Sequence, residues 1–290
     1  MLKYLYLNIY FNIFLKRVSK FMPELPEVET IKNGILKIID DKVVDVVIRN
    51  SNLRYKINKD LSKFCLNKVV KDIYRRGKYL IIRFNKGNLI LHFGMTGSLV
   101  FINKKLSEIK KHDHVDIVFE KFLLRYNDPR RFGFIKYEEE ITNCELLNKL
   151  GLEPLSDNFT AEYLFDKIKD KKTKIKQLIM NNEIVVGIGN IYACESLFLS
   201  CISPLRSGNA ISLRQTRKLV ECIKNVLNQA ILSGGSTLKD YKKVDGTLGY
   251  FQINHKVYGK SGKPCTSCNT TISEIRIGQR NTFYCGVCQI

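Results

Sequence analysis

Pro23 and Glu24 are the adjacent pair in this chain best suited to covalent chemistry on a carbonyl carbon. They lie in the stretch Met22-Pro23-Glu24-Leu25-Pro26-Glu27-Val28-Glu29-Thr30, and proline directly after methionine is a start that processing trims to a free secondary amine. An α-amino group titrates near pH ~7.7–8.0, so a usable fraction is neutral and nucleophilic near neutrality. Attack of that amine on a sugar aldehyde carbon gives an iminium, an electron sink that acidifies the neighbouring C–H and permits elimination. Glu24 can protonate or deprotonate the sugar and the attacking amine. The same residues also read as a plain helix start, with proline in the first turn, acids favoured by the dipole, and Val28 and Ile31 facing a core.

Three polar pieces further on add to this chemistry. In Arg75-Arg76-Gly77-Lys78-Tyr79, Lys78 follows a glycine at a strand start. It reads either as a solvated charge or as a cation facing an anionic partner such as a phosphate, able to act as an acid. Met95 sits on a loop between Gly94 and Gly97, where a flexible apolar side chain can wedge into a base stack. Asn127-Asp128-Pro129-Arg130-Arg131-Phe132-Gly133 is a turn, and its Arg130, Arg131 and Phe132 suit filling the gap left by an extruded base. His112 and His114 have no third ligand nearby, which points to loop histidines, one imidazole donating to a phosphate, and away from a metal pair.

The C-terminal part carries the most specific signal. Cys265-Thr266-Ser267-Cys268 and Cys285-Gly286-Val287-Cys288 are separated by sixteen residues, within zinc-ribbon spacing. Four thiolates close a tetrahedral shell, so Cys265, Cys268, Cys285 and Cys288 predict one structural zinc with no open position for water. Arg280 falls near the tip of the intervening hairpin, where a guanidinium held by a stapled turn makes a rigid phosphate clamp. Gly187-Ile188-Gly189 leads into a helix at Asn190, and its backbone N–H groups read as a phosphate cradle. Lys172, in the run Lys171-Lys172-Thr173-Lys174, reads as a solvated charge or a further phosphate contact.

These residues need scaffolds. Apolar spacing predicts a helix over Glu29–Asp40. Short β-like runs follow at Val43–Arg49, Val69–Arg75, Tyr79–Phe84, Leu89–Phe93, Leu99–Ile102, Val115–Phe119 and Phe122–Tyr126, with a hairpin signal at Asn85-Lys86-Gly87-Asn88. Many short strands with regular turns predict an antiparallel sandwich or barrel ending between Tyr137 and Leu150. Gly151 to Asn158 reads as a linker, and from Thr160 the period becomes helical. The expected division is 22–150, an antiparallel β-sandwich; 151–245, a helical domain; and 246–290, a zinc-finger hairpin.

The 290 residues carry a formal charge of +20, which points to a polyanionic partner. Lys3, Lys16, Arg17 and Lys20 supply four of those charges with no acid among residues 1–21, so the chain from Met22 still carries +16. The apolar run Tyr4–Leu15 is interrupted by Asn8 and Asn12 and falls short of the ~20 residues a span needs. No small-residue cleavage site follows it, so translation is expected to begin at Met22, with residues 1–21 absent from the working enzyme. Nine cysteines without secretory context fit reduced thiols in a cytoplasm.

Taken in order, the Pro-Glu-Leu-Pro-Glu start, the Arg-Arg-Gly-Lys strand, the Asp-Pro-Arg-Arg-Phe-Gly turn, the Gly-Ile-Gly-Asn helix and the terminal ribbon resemble bacterial formamidopyrimidine-DNA glycosylases, repair enzymes for oxidised purines. The resemblance spans essentially all of Met22–Ile290. It implies a multidomain α+β enzyme: an N-terminal antiparallel β-sandwich with flanking helices, then a helix-two-turns-helix domain and a zinc-ribbon finger, gripping damaged duplex DNA in the cleft between them. It further implies Pro23 as nucleophile at C1′ of a flipped nucleotide and Glu24 as proton donor in base release. Lys78 would serve β-elimination, and Arg280 δ-elimination and a phosphate contact. Met95, Arg130 and Phe132, with Arg131 in the same turn, would fill the vacated stack. His112, Arg130, Lys172 and Asn190 would hold the backbone or the base opposite the lesion. The enzyme would act as a cytoplasmic monomer, associated with the bacterial nucleoid through DNA and not with a membrane.

The departure from the family pattern is the extension, because an attached residue removes the free amine of Pro23. Two alternatives stand beside the main reading. One is the sister class acting on oxidised pyrimidines, whose members usually begin Pro-Glu-Gly-Pro; Leu25 and the Arg-Arg-Phe turn favour the purine class. The other is a lesion-binding protein without catalysis, the outcome if residues 1–21 persist.

Overall fold

The computed structural model describes residues 23–103, 108–235 and 255–290. The expected loss of residues 1–21 concerns a segment outside the described residues.

Helix α1 (Leu25–Ile35) begins four residues earlier than its periodicity predicted. Pro26 lies in the first turn, where no intrahelical N–H is needed, and Glu27 reaches back so that its Oε2 accepts the Glu24 N–H at 2.9 Å. The helix tightens into a 3-10 turn (Leu36–Ile38), and Asp40 at φ +68° stops it short of the predicted end.

Eight strands follow: β1 (Val43–Ile48), β2 (Val70–Arg76), β3 (Tyr79–Phe84), β4 (Asn88–His92), β5 (Ser98–Asn103), β6 (Asp113–Phe119), β7 (Phe122–Asn127) and β8 (Phe134–Glu138). They form two four-stranded sheets, ordered β1-β6-β7-β5 and β2-β3-β4-β8, antiparallel throughout. Val46, Ile73, Leu80, Ile82, Leu91, Ile117 and Leu124 from both sheets share one core with Val28, Ile31 and Ile35 of α1. Strand β3 is apolar on both faces because Ile81 points the other way, into a second cluster with Ile90, Phe134 and Cys144. Strand β8 and the short helix α2 (Leu61–Cys65) escaped the sequence reading. Five residues after a turn give too short a pattern to read, and only the register with β4, from Asn88 opposite Glu138 to His92 opposite Phe134, makes β8 a strand.

After the short α3 (Glu145–Asn148) come α4 (Ala161–Ile168), α5 (Ile175–Ile179), α6 (Asn190–Leu199) and α7 (Leu213–Leu232). Thr160 caps α4 by accepting the Tyr163 N–H, and Ser212 with Gln215 forms a capping box on α7. Helix α6 is buried from Asn190 to Phe198 and forms the spine of a core with α4, α5 and α7. Strands β9 (Ser273–Ile277) and β10 (Arg280–Tyr284) make a hairpin whose cluster includes Cys194 and Phe198 of α6. No helix among the described residues is long and apolar enough to cross a membrane.

Candidate active site and DNA interface

The N-terminus of α1 meets the N-terminus of α6, and Glu24 lies at the junction. Its carboxylate rests against Gly189, where an added Cβ would stand 2.0 Å from Glu24 Cδ, so only glycine fits. Oε1 accepts the Ile191 N–H at 3.1 Å, while the buried Oε2 has no hydrogen-bond partner among the described residues. Gly187, at φ +81°, accepts the Leu25 N–H through its carbonyl at 3.2 Å, and a Cβ there would strike the Leu25 side chain. The expected phosphate cradle at Gly187–Asn190 is therefore used differently: an internal carboxylate takes the helix N-terminus, satisfying an otherwise orphaned N–H.

Burial raises the Glu24 carboxyl to a pKa of about 7; Lys78 opposes the rise, Glu27 adds to it, and the Ile191 and Tyr192 N–H groups oppose it. Near neutrality the group is thus a mixture of acid and base, the condition a proton-transfer residue needs. Glu27 is itself buried, its Oε1 accepting the Tyr192 hydroxyl at 2.7 Å.

Lys78 enters this field from the β2–β3 turn. Burial pushes its ammonium down, Glu24 pushes it up, Arg280 pushes it down and Glu27 pushes it up. Lys78 is therefore within electrostatic reach of both Glu24 and Arg280, although the three lie on separate segments. Arg280 is exposed and opens β10, opposite Ile277 at the end of the hairpin.

His92 pairs with Tyr79 across β4 and β3 and was missed as a site residue. Burial, then Lys78 and Arg54, lowers its pKa to about 4, so the ring is neutral. Its Nδ1 accepts the Gly94 N–H at 3.1 Å, which leaves the proton on Nε2 as a donor beside Lys78.

The loop that carries Met95 and the turn that carries Arg130, Arg131 and Phe132 are locked together by Asp128, another residue that sequence reading passed over. Its Oδ1 accepts Thr96 Oγ1–H at 2.6 Å and its Oδ2 accepts the Gly133 N–H at 2.8 Å, while Thr96 Oγ1 accepts the Arg130 N–H. Gly94, at φ +59°, packs so closely that a Cβ would meet the Phe132 backbone at 2.4 Å. Met95 is half-buried, Arg131 and Phe132 are exposed, and the Arg130 guanidinium lies 4.6 Å above the Phe132 ring. His112 is half-buried beside the same turn, and its carbonyl accepts the Asp128 N–H. His114 is buried and donates from Nε2 to the Asp128 carbonyl at 2.8 Å, which accounts for it without a metal.

Asn190 and Lys172 part company. Lys172 is exposed between α4 and α5. Asn190 is buried, its Oδ1 accepting Lys176 Nζ–H at 2.6 Å and its Nδ2 donating to the Asn281 carbonyl at 2.9 Å. Lys176 Nζ also donates to Thr282 Oγ1 at 2.6 Å, so this buried lysine ties α5, α6 and β10 into one unit. Its sequence signal is a charge inside the apolar helical run Ile175-Lys176-Gln177-Leu178-Ile179.

The four ribbon cysteines bring their sulfurs within 4.8 Å of one another, the only such ligand cluster among the described residues. The Cys265–Cys288 and Cys268–Cys285 sulfur separations are 3.8 and 3.4 Å. A tetrahedral shell with Zn–S bonds of about 2.3 Å needs sulfurs about 3.8 Å apart, so the set fits zinc.

Comparison with known proteins agrees from residue 22 onward. Family models match residues 22–135 (formamidopyrimidine-DNA glycosylase N-terminal domain), 150–242 (formamidopyrimidine-DNA glycosylase H2TH domain) and 262–290 (zinc finger found in FPG and IleRS). A formamidopyrimidine-DNA glycosylase of Glaesserella parasuis is 46% identical over 271 residues, covering 92% of this chain and 98% of its own. The crystal structure of the MutM (FPG) protein from Thermus thermophilus superposes with a TM-score of 0.83 at 33% identity, covering 92% of this chain and 98% of that one. A Lactococcus lactis FPG mutant in complex with Fapy-dG-containing DNA gives a TM-score of 0.85 at 32% identity, covering 92% and 99%.

Proposed function

From the premise that the chain belongs to the formamidopyrimidine-DNA glycosylase family, we propose that it excises oxidised purines from duplex DNA through a covalent adduct on Pro23 and then cleaves the strand. In coarser terms it is a DNA glycosylase of base excision repair, acts on damaged duplex DNA, and carries one structural zinc.

The observation that carries the finer part is the buried Glu24 carboxyl, titrating at about 7 with one oxygen unpaired, next in sequence to Pro23 and within the field of Lys78. Glu24 delivers a proton as the N-glycosidic bond breaks and the base departs. The Pro23 nitrogen takes the place of the base at C1′ and gives up its proton, and cleavage of the C1′–O4′ bond, with a proton passed to O4′, opens the sugar ring and gives the iminium. Loss of a C2′ proton then expels the 3′-oxygen, Lys78 supplying the proton relay, and a second elimination at C5′ is assisted by Arg280. His92 and Lys78 offer donors to a flanking phosphate, Met95, Arg130, Arg131 and Phe132 occupy the vacated stack, and His112, Lys172 and Asn190 hold backbone. The ribbon zinc takes no part in these steps; its four thiolates hold the β9–β10 hairpin and so Arg280.

In the working enzyme the Pro23 nitrogen is free. Borohydride trapping on an 8-oxoguanine:cytosine duplex, with protein started at Met22 and the free proline verified by intact mass, should yield an adduct mapping to Pro23. The same protein should process thymine glycol more slowly, and the chain retaining residues 1–21 should bind DNA without trapping. No adduct despite a free proline overturns the proposal, and faster processing of thymine glycol transfers it to the oxidised-pyrimidine class.

A further inference from the structure

The chain between the sandwich and the helical domain does more than connect them. Gly151 N–H donates to the Asn182 carbonyl at 2.7 Å, Leu152 N–H to Ile184 at 3.3 Å, and Val186 N–H back to Leu152 at 3.0 Å. This parallel pairing fixes the linker against residues 182–186, the segment that leads directly into Gly187–Gly189 and the seat of Glu24.

The next residue, Glu153, faces the other way. Its Oε1 accepts the Gly77 N–H at 2.6 Å and an Arg76 N–H at 3.1 Å, and its Oε2 accepts an Arg75 N–H at 2.7 Å. Arg75 is held in turn by Glu29 of α1 at 2.8 Å and donates to the Gly77 carbonyl at 2.9 Å. Arg76 donates to the Leu150 and Gly151 carbonyls. Gly77, at φ +56°, is the turn residue immediately before Lys78, and a Cβ there would press on Val186 at 3.1 Å. Arg75 is 9% and Glu153 22% exposed, so these charge-assisted bonds operate with little water.

We propose that Glu153 is a positioning residue that sets Lys78 against Glu24. One linker segment holds the Glu24 seat by its backbone and the Lys78 turn by its side chain. The distance between the two proton-transfer groups is therefore set by a residue that touches neither. This inference rests on the roles of Lys78 and Glu24 proposed above.

Glu153→Gln is the sharpest probe. Its amide oxygen can still accept from Gly77, but its NH2 group meets the Arg75 guanidinium, donor against donor, so the turn loses the Arg75 anchor that also holds the Gly77 carbonyl. The expected result with abasic-site duplex is a fall in kcat for strand cleavage of about 10- to 100-fold, as for other misplacements on the ångström scale. Affinity for a tetrahydrofuran-containing duplex should stay within about threefold, and the pH profile of cleavage should shift because Lys78 and Glu24 no longer hold each other's protonation at a fixed separation. Glu153→Asp, too short to span both partners, should behave in the same way, and Glu162→Gln, which breaks an exposed pair with Arg217, should change none of these readouts. Unchanged kcat and pH profile in Glu153→Gln overturn the proposal. So does a cleavage loss matched by equal losses of DNA affinity and melting temperature, because that is a purely structural role. If the unmodified protein itself neither traps nor cleaves, the functional reading fails first, which separates the two outcomes.

Discussion

The Glu24 seat and the zinc ribbon converge on the same helix, α6, yet they are held by opposite physics. At the seat, Gly187 and Gly189 let backbones approach until a single methyl group would not fit, and a carboxyl is desolvated with one oxygen unpaired. In the ribbon, the cluster is small, with Phe283, Ile272 and Val257 around Cys265 and Cys285, and four sulfurs stand at zinc-binding separations. The lesson is a division of labour. The desolvated carboxyl sits where large cores on both sides enforce it, whereas the β9–β10 hairpin has too little core of its own and relies on metal–thiolate bonds.

Removing the metal should produce the largest effect and tests the ribbon side alone. Chelation, or Cys268→Ser, should unfold the β9–β10 hairpin and abolish specific duplex binding in an anisotropy titration, since structural zinc supplies about 10–16 kcal/mol of folding free energy in finger peptides. The sandwich and its melting transition should survive. Loss of the whole fold would erase the distinction between the two regions.

Gly189→Ala attacks the seat instead. Its Cβ falls 2.0 Å from Glu24 Cδ, so the carboxyl must leave the α6 N-terminus. Overpacking of this kind costs about 1–3 kcal/mol in a denaturant titration. Base release should fall further than stability suggests, while zinc content remains unchanged. An alanine variant with full base release would mean that Glu24 does not need its seat.

Glu24→Gln sharpens the comparison most quietly. Base release should be lost with DNA binding retained, and the fold should gain stability with a definite pH sense. The folded-state pKa of about 7 lies above the ordinary value of 4.5, so native Glu24 binds its proton more tightly than the unfolded chain does. Its contribution is present below pH 4.5 and is lost as pH rises through 7. The variant lacks that loss, so its advantage should grow across this window by about 3–4 kcal/mol, measurable as ΔTm between acidic and alkaline buffers. A pH-independent difference would mean that the carboxyl is not desolvated in the folded protein.

Much of the fold was legible because its signals are local. Strand β3 was read to the residue, Tyr79–Phe84, and the hairpin at Asn85–Asn88 is closed by the Phe84 N–H donating to the Gly87 carbonyl. The four cysteines declared a zinc site by spacing alone. Strand β8 was not legible, because its identity depends on a partner more than forty residues away. Lys176 and Asp128 read as ordinary polar residues until burial and hydrogen bonding made them the ties of α5–α6–β10 and of the Met95 and Arg130–Phe132 loops.

What the amino-acid sequence determined by itself is the inventory: a proline–glutamate start, a lysine behind a glycine, an arginine in a hairpin, a set of four cysteines, and the periods of the elements that bear them. Those are properties of residue type and short spacing. What only the tertiary structure decided is the use of each group. The α6 N-terminus holds Glu24 in place of a phosphate, Asn190 joins the ribbon to the helical core, and Glu153 locks the turn before Lys78. The physical reason is that a carboxyl's pKa and a donor's partner depend on which atoms exclude water around it, and here those atoms lie more than seventy residues apart in sequence.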